Sequence, residues 1–271
     1  MTRRGAAWGL LAAALGLLLW ALAIEPARLV ERQETIRVAG LPSMTIALLS
    51  DIHAGCHFVD EAKIRRVVAI INAWRPDVVA LLGDYVTENR LASPIPAEQT
   101  ARWLGDLRAP GGVFAVLGNH DWWHDGPGIR RAFEDAGIRV LEGESAAIQV
   151  RGQPLRILGV PDHTTRRDHI APTLATAPAD APVIALTHSP DVFPGMPPRV
   201  RLTLAGHTHG GQVRLPLLGA LVVPSRYKQR YVHGHVAEEG RHLYVTSGLG
   251  MSIFPVRFGV PPEVVLLRIN P

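Results

Sequence analysis

Residue types that bind metal ions recur at five places along this chain of 271 residues, each just after a short apolar run. These residues are Asp51 and His53, Asp84, Asn119 with His120 and Asp121, His188, and His207 with His209. Carboxylate, amide and imidazole groups in combination suit Mn, Fe or Zn better than Mg or Ca. A lone histidine is more often structural than a ligand, but five groups in comparable positions predict a metal site.

The apolar runs before these residues predict strands that alternate with helices. The predicted strands are Met44 to Ser50, Val78 to Gly83, Val113 to Gly118, Leu155 to Val160, Val183 to Thr187, Leu202 to Gly206, His242 to Thr246 and Val264 to Ile269. The carboxyl ends of strands in an α/β sheet converge on one edge, so the polar residues are expected to meet there. Asp51 and His53 would point the same way in an extended chain, and so would His207 and His209, which is the conformation we expect.

Helical spacing is clearest from Glu61 to Trp74, with Asp60 as the predicted N-cap and Pro76 as the stop. Weaker patterns predict helices from Ala97 to Leu107 and from Gly128 to Ala136. Helices become rare after about residue 140, whereas strands crowd together. We therefore predict an α/β domain, residues 43–271, in which two packed sheets carry helices on the outside.

The composition fits a packed globular domain and argues against several other classes. The 28 Lys and Arg residues exceed the 24 Asp and Glu residues by only four, and arginines form no run longer than a pair. Nucleic acid is therefore not a predicted partner, although a nuclease remains an alternative. The single cysteine, Cys56, excludes an intramolecular disulfide, and no feature predicts a protein partner.

An uncharged apolar stretch extends from Gly5 to Ile24 and would be about 30 Å long as a helix, the thickness of a hydrocarbon core. We interpret residues 1–24 as a transmembrane anchor, with a signal sequence cleaved after Ala21-Leu22-Ala23 as the alternative. Residues 25–42 then form a spacer and the first strand, with the polar stretch 25–35 expected to be the spacer.

The side of the membrane is less clearly indicated, because arginines flank the apolar stretch on both sides. An apolar segment at the amino terminus followed by a large domain favours a single-pass membrane protein with a periplasmic or extracellular domain. The cytoplasmic side remains open.

The order of the polar motifs, from Asp51-x-His53 to Gly206-His207-Thr208-His209, resembles the five-motif signature of calcineurin-like metallophosphoesterases. Later stretches, His209 to Gln212, Tyr227 onward and Thr246 to Glu263, resemble a narrower branch of membrane-associated bacterial phosphoesterases of the YkuE and YaeI type. The resemblance implies a four-layer αββα sandwich with its site at the sheet edges.

The resemblance also implies a role for each motif residue. Asp51, His53 and His209 would hold one divalent metal ion, Asn119, His188 and His207 would hold a second, and Asp84 would bridge them. Two such ions polarise a shared water and neutralise phosphoryl oxygens. His120 would protonate the leaving group and Asp121 would orient His120. Activity is expected to fall in mild acid, as histidine ligands protonate and release metal.

The expected substrate is a phosphorylated small molecule or lipid. The apolar stretch from Leu215 to Val223 predicts either a buried hairpin or an exposed surface that faces the bilayer beside the site. The second interpretation suggests a phospholipid or lipid precursor. One alternative, a UDP-2,3-diacylglucosamine pyrophosphate hydrolase of lipid A synthesis, requires a cytoplasmic site. A non-catalytic metal-binding scaffold is a further alternative.

Overall fold

The computed structural model describes residues 3–87, 92–165, 170–179 and 181–271, in which two six-stranded mixed sheets pack face to face. In spatial order the first sheet contains β1 (Val30–Arg37), β14 (Glu263–Asn270), β2 (Met44–Leu49), β3 (Val78–Leu81), β4 (Val113–Ala115) and β5 (Arg139–Val140). The second sheet contains β12 (Gly234–Glu238), β13 (Arg241–Val245), β9 (Val200–Ala205), β8 (Val183–Leu186), β7 (Gln153–Gly159) and β6 (Glu144–Val150).

The strands that carry the motif residues run parallel to one another in each sheet. β2, β3, β4 and β5 are mutually parallel, as are β7, β8, β9 and β13. β14 is antiparallel to β2, and the pairs β6–β7 and β12–β13 are antiparallel. Parallel neighbours bring their carboxyl ends to one edge of each sheet, as the position of the polar motifs predicted.

Alternation along β2 explains how the layers form, because successive side chains point to opposite faces. Ile46 and Leu48 pack with Leu204 and other residues of the second sheet, whereas Ala47 and Leu49 pack with the outer helices. These helices are α3 (Glu61–Trp74), α4 (Ala97–Leu104) and α5 (Asn119–Asp135). The short helix α6 (Ile170–Ala175) packs on the outer face of the second sheet. The predicted architecture of two packed mixed sheets flanked by helices is confirmed.

The helix predicted from Glu61 to Trp74 forms with those bounds. The Asp60 carboxylate accepts a hydrogen bond from the Lys63 amide at 2.9 Å, which caps the first turn. The helix ends where Arg75 adopts a left-handed backbone before Pro76. Its buried face consists of Ile64, Val67, Val68 and Ile71, each contributing roughly 1.5–3 kcal/mol through burial.

The prediction for α5 was wrong at its start, because the helix begins at Asn119 rather than at Gly128. The sequence Gly126-Pro127-Gly128 concealed the first turns. The backbone leaves helical geometry at Asp125, with φ −158° and ψ 75°, and resumes beyond it. α4 ends at Leu104, three residues before its predicted end.

The polar stretch expected to be a spacer contributes a strand instead. Val30 to Arg37 pair in parallel with Glu263 to Asn270 along their whole length. β1 lies at the edge of the first sheet and alternates between partly buried and exposed side chains, so four of its polar residues, Glu31, Gln33, Thr35 and Arg37, face solvent. Polar composition therefore concealed an edge strand.

The amino-terminal helix α1 (Arg3–Leu19) continues as a π-helical turn, Trp20–Ile24, and as the short helix α2 (Glu25–Ala27). The span Arg4–Ala27 is long and apolar enough to cross a bilayer, and its most apolar window is entirely unburied. Its carboxyl end is attached to the domain, because the Ala21 carbonyl accepts a hydrogen bond from the Arg257 amide at 3.0 Å.

Candidate metal centre

The predicted metal ligands lie where the carboxyl ends of the parallel strands in both sheets meet. Those from the first sheet follow β2, β3 and β4, and those from the second follow β8 and β9. Six of the seven side chains are buried and His207 is half-buried. Buried charged and polar groups need partners, so their concentration at one edge indicates a site.

One group of ligand atoms comprises Asp51, His53, Asp84 and His209, whose nearest donor atoms all lie within 4.8 Å of one another. Nε2 of His209 lies 3.3 Å from Oδ1 of Asp51 and 3.3 Å from Nε2 of His53. Nε2 of His53 lies 3.6 Å from Oδ2 of Asp84. Four donor atoms from two sheets therefore face one small space.

A second group comprises Asp84, His188 and His207. Nε2 of His188 lies 3.2 Å from the same Oδ2 of Asp84 and 3.1 Å from Nδ1 of His207. Asp84 thus belongs to both groups through one oxygen. Asn119 is adjacent in the chain to His120, whose amide donates to Oδ1 of Asp84 at 3.0 Å.

Backbone carbonyls fix which nitrogen of two histidines faces the centre. Nδ1 of His53 lies 3.0 Å from the Val86 carbonyl, and Nδ1 of His188 lies 2.7 Å from the Leu82 carbonyl. A carbonyl only accepts, so each Nδ1 carries a proton and donates it, and Nε2 is the nitrogen that faces the centre and would bind a cation. Outer hydrogen bonds of this kind are typical of histidine metal ligands.

The residues present fit divalent cations. The inward nitrogens of His53 and His209 face each other, and two lone pairs at that separation repel unless a proton or a cation lies between them. The Asn119 side-chain oxygen is buried and has no hydrogen-bond partner among the described residues. The mixed oxygen and imidazole donor set is one that suits Mn, Fe or Zn.

Burial and charge shift the titration of the ligands. Burial lowers the pKa of His53 and His207 to about 4 and lowers that of His209, so these imidazoles are neutral at physiological pH, the form that binds metal. Burial raises the pKa of Asp51 to about 6. The predicted loss of activity in mild acid stays a prediction, and Asp51 is the ligand here that titrates nearest to that range.

Asp84 and His188 form a buried charged pair, with Nε2 of His188 3.2 Å from Oδ2 of Asp84. Burial alone would raise the pKa of Asp84, but the charge of His188 and its hydrogen bond hold it well below the ordinary value. Burial alone would lower the pKa of His188, and Asp84 raises it well above the usual range instead. A cation bound between them would displace that shared proton.

The expectation of an extended chain at the paired ligands was wrong. Asp51 and His53 have φ of 50° and 44°, and His207 and His209 have φ of 69° and 50°. Asp84 shares this left-handed conformation, with φ 56°. Such conformations are unfavourable for residues other than glycine and cluster at functional sites, where the surrounding structure holds them in place. The ligands are therefore aimed by turns at the strand ends and not by strand alternation.

Asp121 is buried, and both of its oxygens accept hydrogen bonds from the backbone. Oδ2 accepts from the amides of Asp84 and Gly118 at 2.8 and 2.9 Å, and Oδ1 accepts from those of Tyr85 and Val86 at 2.8 and 3.3 Å. These bonds make Asp121 a positioning residue for the loop that carries Asp84. The predicted orientation of His120 by Asp121 stays a prediction.

His120 lies beside the ligand groups and is partly exposed. Its ring centroid is 5.0 Å from that of His53 and 5.0 Å from that of Trp123. Nε2 of His120 lies 3.3 Å from the Ser252 hydroxyl. The imidazole is therefore next to the ligands and within reach of solvent, as a proton donor to a leaving group must be.

A segment that the motif analysis did not assign to the site completes it. In this segment, residues 246–262 and hereafter the late loop, the amides of Leu249 and Gly250 donate to the Ser50 and Asp51 carbonyls at 3.0 and 2.6 Å. Gly248 has φ +70°, and a Cβ there would lie 2.5 Å from Cβ of Asp51. Only glycine fits both the backbone and the space.

Arg257 holds the late loop together from inside. The side chain is fully buried, and its guanidinium donates to the carbonyls of Val260, Ser247, Gly248 and Gly250 at 2.6 to 3.3 Å. Burial lowers the pKa of Arg257 to about 10, so it remains charged at neutral pH. The sequence gives no periodic signal for this role, because all of these acceptors are backbone atoms.

The calcineurin-like phosphoesterase family profile matches residues 44–211 of the chain, which therefore belongs to this family and is a metal-dependent hydrolase of phosphoric esters. The chain is 28% identical over 270 residues to the uncharacterized metallophosphoesterase YkuE of Bacillus subtilis, covering 91% of this chain and 87% of that protein. It is 32% identical over 228 residues to phosphodiesterase YaeI of Escherichia coli, covering 83% and 81%. The resemblance inferred from the motifs is confirmed.

Two further likenesses come from larger proteins. A Danio rerio transmembrane protein with a metallophosphoesterase domain is 28% identical, over 89% of this chain and 57% of that protein. The Haemophilus influenzae NAD nucleotidase NadN is similar in structure, with a TM-score of 0.53 at 14% identity. That match covers 77% of this chain and 45% of NadN, so it supports the fold alone.

Proposed function

We propose that this protein is a membrane-anchored phosphoesterase that uses two divalent cations and a histidine acid to hydrolyse phosphate ester or pyrophosphate bonds of a phosphorylated lipid. The observation that carries the proposal is the sharing of one Asp84 oxygen between two groups of inward-facing ligand atoms. A carboxylate between two such groups is suited to bridging two cations.

In this proposal Asp51, His53 and His209 hold one ion, Asn119, His188 and His207 hold the other, and Asp84 contacts both. Divalent cations, when bound, activate water as a nucleophile near neutral pH and neutralise charge on phosphoryl oxygens. The left-handed turns and the backbone bonds of Asp121 keep the ligands in place before substrate arrives, which limits reorganisation during the reaction.

His120 is the proposed acid. Its partial exposure lets it reach the oxygen of a leaving group, and the nearby Ser252 hydroxyl and Trp123 ring limit the directions in which the imidazole can turn. Protonation of a departing alkoxide by a positioned side chain contributes roughly 10²- to 10⁴-fold to a rate.

Retention of the amino-terminal helix is supported by its attachment to the domain. The Ala21 carbonyl is bonded to Arg257, and the Pro26 carbonyl accepts a hydrogen bond from the Lys63 side chain at 3.1 Å. Cleavage after Ala23 would remove Ala21 and with it the hydrogen bond to Arg257 of the late loop. We place the domain on the periplasmic or extracellular side, and fusions of alkaline phosphatase and of green fluorescent protein to the carboxyl end test this placement.

A lipid substrate is favoured by apolar side chains exposed near the site. The stretch from Leu215 to Val223 is not the buried hairpin that was one of its two predicted forms, because Leu217, Leu218, Leu221 and Val222 are each more than half exposed. This stretch begins six residues after the ligand His209. Exposed apolar surface beside a phosphoesterase site suits a substrate with acyl chains.

The test uses the purified full chain in detergent, stripped with a chelator and reloaded with Mn, with bis-p-nitrophenyl phosphate as substrate. We expect activity to disappear on stripping and to return on reloading, with two metal equivalents per chain by elemental analysis. His188→Ala should lose the activity and the bound metal, whereas the surface variant His235→Ala should keep the activity and both metal equivalents. Full activity without metal, or no metal uptake by the wild type, would contradict the proposal.

A further inference from the structure

Six exposed apolar side chains lie on two segments that hydrogen bonds connect, and they are hereafter called the apolar rim. The rim consists of Leu217, Leu218, Leu221 and Val222 around the hairpin of β10 (Arg214–Leu215) and β11 (Gly219–Ala220), with Ile253 and Phe254 of the late loop. Each of these side chains is more than half exposed. Contiguous exposed apolar surface of this kind marks an interaction site rather than ordinary surface composition.

Hydrogen bonds join the two parts of the rim. The Gln212 side chain donates to the Phe254 carbonyl at 3.4 Å and accepts from the Ser252 amide at 2.7 Å. The Arg214 amide donates to the Phe258 carbonyl at 2.7 Å, and the Phe258 amide donates to the Gln212 carbonyl at 2.8 Å. The hairpin and the late loop are therefore one connected structure.

The same structure touches both the amino-terminal helix and the catalytic site. A groove of about 490 Å³ lies between the hairpin and the end of the helix, with Trp20 and Arg28 on one side and Leu215, Pro216 and Phe258 on the other. Also in the late loop, the Ser252 hydroxyl lies 3.3 Å from Nε2 of His120. The late loop thus contacts both the end of the amino-terminal helix and the residue proposed as the acid.

Positive charge follows the hairpin. Arg226, Lys228 and Arg230 occur within five residues and are exposed. Arg226 also pairs with Asp191 and Arg230 with Glu238, and these two guanidinium groups lie over the rings of Tyr227 and Tyr231. Basic residues next to exposed apolar ones are typical of surfaces that bind anionic bilayers, where each cation adds electrostatic attraction to the apolar contact. Trp20, at the end of the helix, is of a type enriched at membrane interfaces.

We propose that the apolar rim inserts into the bilayer leaflet that the helix enters, so that the domain is held against the membrane at two places. The occupant of the rim is lipid and not a second protein, because the rim is bonded to the chain segment that emerges from the bilayer and is flanked by cations. Insertion of the rim into the bilayer does not depend on the proposed phosphoesterase function. Only one consequence rests on that function, namely that the site then faces phosphoesters in the same leaflet.

The test places an environment-sensitive nitrobenzoxadiazole label on the full chain in nanodiscs that hold one protein each. Leu218→Cys and Phe254→Cys report on the rim, and Glu239→Cys, in an exposed turn before β13, is the matched control. The native Cys56 is buried, so wild type gives the labelling background. The nanodiscs contain phosphatidylethanolamine and phosphatidylglycerol, with or without lipids brominated in the acyl chains.

We expect blue-shifted emission and quenching by brominated lipid at residues 218 and 254, and neither at residue 239. Quenching at 218 and 254 should weaken when phosphatidylglycerol is replaced by phosphatidylcholine, because the basic side chains beside the rim are then no longer attracted by anionic headgroups. Leu221→Asp combined with Val222→Asp should remove the quenching at 254. Solvent-like emission at 218 and 254, or a blue shift without lipid quenching, which would indicate a protein occupant, would overturn the proposal.

Discussion

Two regions of the molecule depart, in opposite directions, from the rule that charged side chains are exposed and apolar ones buried. One is the edge of the two sheets where the predicted metal ligands lie, and the other is the segment from residue 212 to residue 262. At the edge, carboxylates and imidazoles are buried, whereas in the later segment leucine, valine, isoleucine and phenylalanine are exposed. Each inversion is unfavourable for an isolated chain in water. Together they indicate two different partners, cations for the edge and lipid for the rim.

The two regions also depend on each other. The later segment supplies the glycine against which Asp51 packs, and the buried Arg257 holds that glycine's carbonyl. A change at the edge should therefore act mainly on metal binding and chemistry, whereas a change in the late loop should affect both chemistry and stability. The following predictions use this difference, beginning with the largest expected effect.

Replacing Asp84, the predicted ligand common to both groups, should abolish phosphoesterase activity. Asp84→Asn keeps an acceptor for the His120 amide but removes the negative charge common to both ligand groups. We expect activity to fall roughly 10³-fold or more, which corresponds to several kcal/mol of lost transition-state stabilisation. Bound metal, measured by elemental analysis, should fall with it. Asp106→Asn, at an exposed carboxylate, should change neither, and an active Asp84→Asn protein would exclude the bridging role.

Removing the proposed acid should separate chemistry from metal binding. His120→Ala should lower the turnover of an alkyl phosphodiester by roughly 10²- to 10⁴-fold. The loss should be much smaller for bis-p-nitrophenyl phosphate, because p-nitrophenolate departs without a proton. Metal content should stay at the wild-type value, and His124→Ala, an exposed position on the same helix, serves as the control. Equal losses for both substrates would contradict the acid role.

A change in the late loop should reach the edge through packing. Gly248→Ala and Gly234→Ala both place a side chain at positive φ, +70° and +84°, so their backbone cost is similar. A Cβ at residue 248 would overlap Asp51, whereas at residue 234 no atom lies within 4 Å. We therefore expect Gly248→Ala alone to weaken metal affinity and activity, with roughly 1 kcal/mol or more of additional destabilisation in chemical unfolding. Equal behaviour of the two variants would show that the contact has no functional effect.

The smallest effect on activity concerns Glu263, which ties the later segment to β1 and acts on stability alone. Burial opposes its ionisation, but hydrogen bonds from His233, the Ser247 amide and Arg32 outweigh it and lower the pKa to about 2. A lowered carboxyl pKa stabilises the fold above the unfolded-state value of 4.5, and that contribution is lost as pH falls through the folded value.

Acid titration of the metal-free protein measures this contribution. The free energy of unfolding should fall between about pH 4.5 and 2, with Glu263 accounting for a loss on the order of 3 kcal/mol. In Glu263→Gln the fall across the same window should be smaller by that amount. A pair of parallel curves would contradict the shifted pKa.

The residues at the edge could be predicted from the sequence, because the pattern that identifies them lies directly beside them in the chain. Each ligand follows a short apolar run directly, and the helix from Glu61 to Trp74 has its cap and its stop beside it. The conformation of the ligands could not be predicted, because the left-handed backbone at Asp51 and His207 depends on neighbours distant in the chain. Gly206 shows this dependence, since a Cβ there would lie 1.9 Å from Oγ of Ser50.

The later segment was harder to predict because its partners are backbone atoms, edges and surfaces. Arg257 binds carbonyls, which no spacing of residue types reveals. β1 is polar because it is an edge strand, and polar composition normally indicates a loop. The stretch from Leu215 to Val223 is apolar but exposed, whereas hydropathy alone favoured a buried hairpin. In each case the missing information was the position of a remote surface.

The order of strands in the first sheet has a consequence for how the protein is made. β14 is the last strand in the chain, yet it lies between β1 and β2, the first two. During synthesis those two early strands emerge with no partner between them, while the hydrophobic helix ahead of them is already available for insertion. The sheet can close only after residues 263–270 have left the ribosome, so this half of the fold forms late, after the strands of the second sheet have been made. Until then, the nascent chain exposes two unpaired strand edges that chaperones or the translocation machinery must protect.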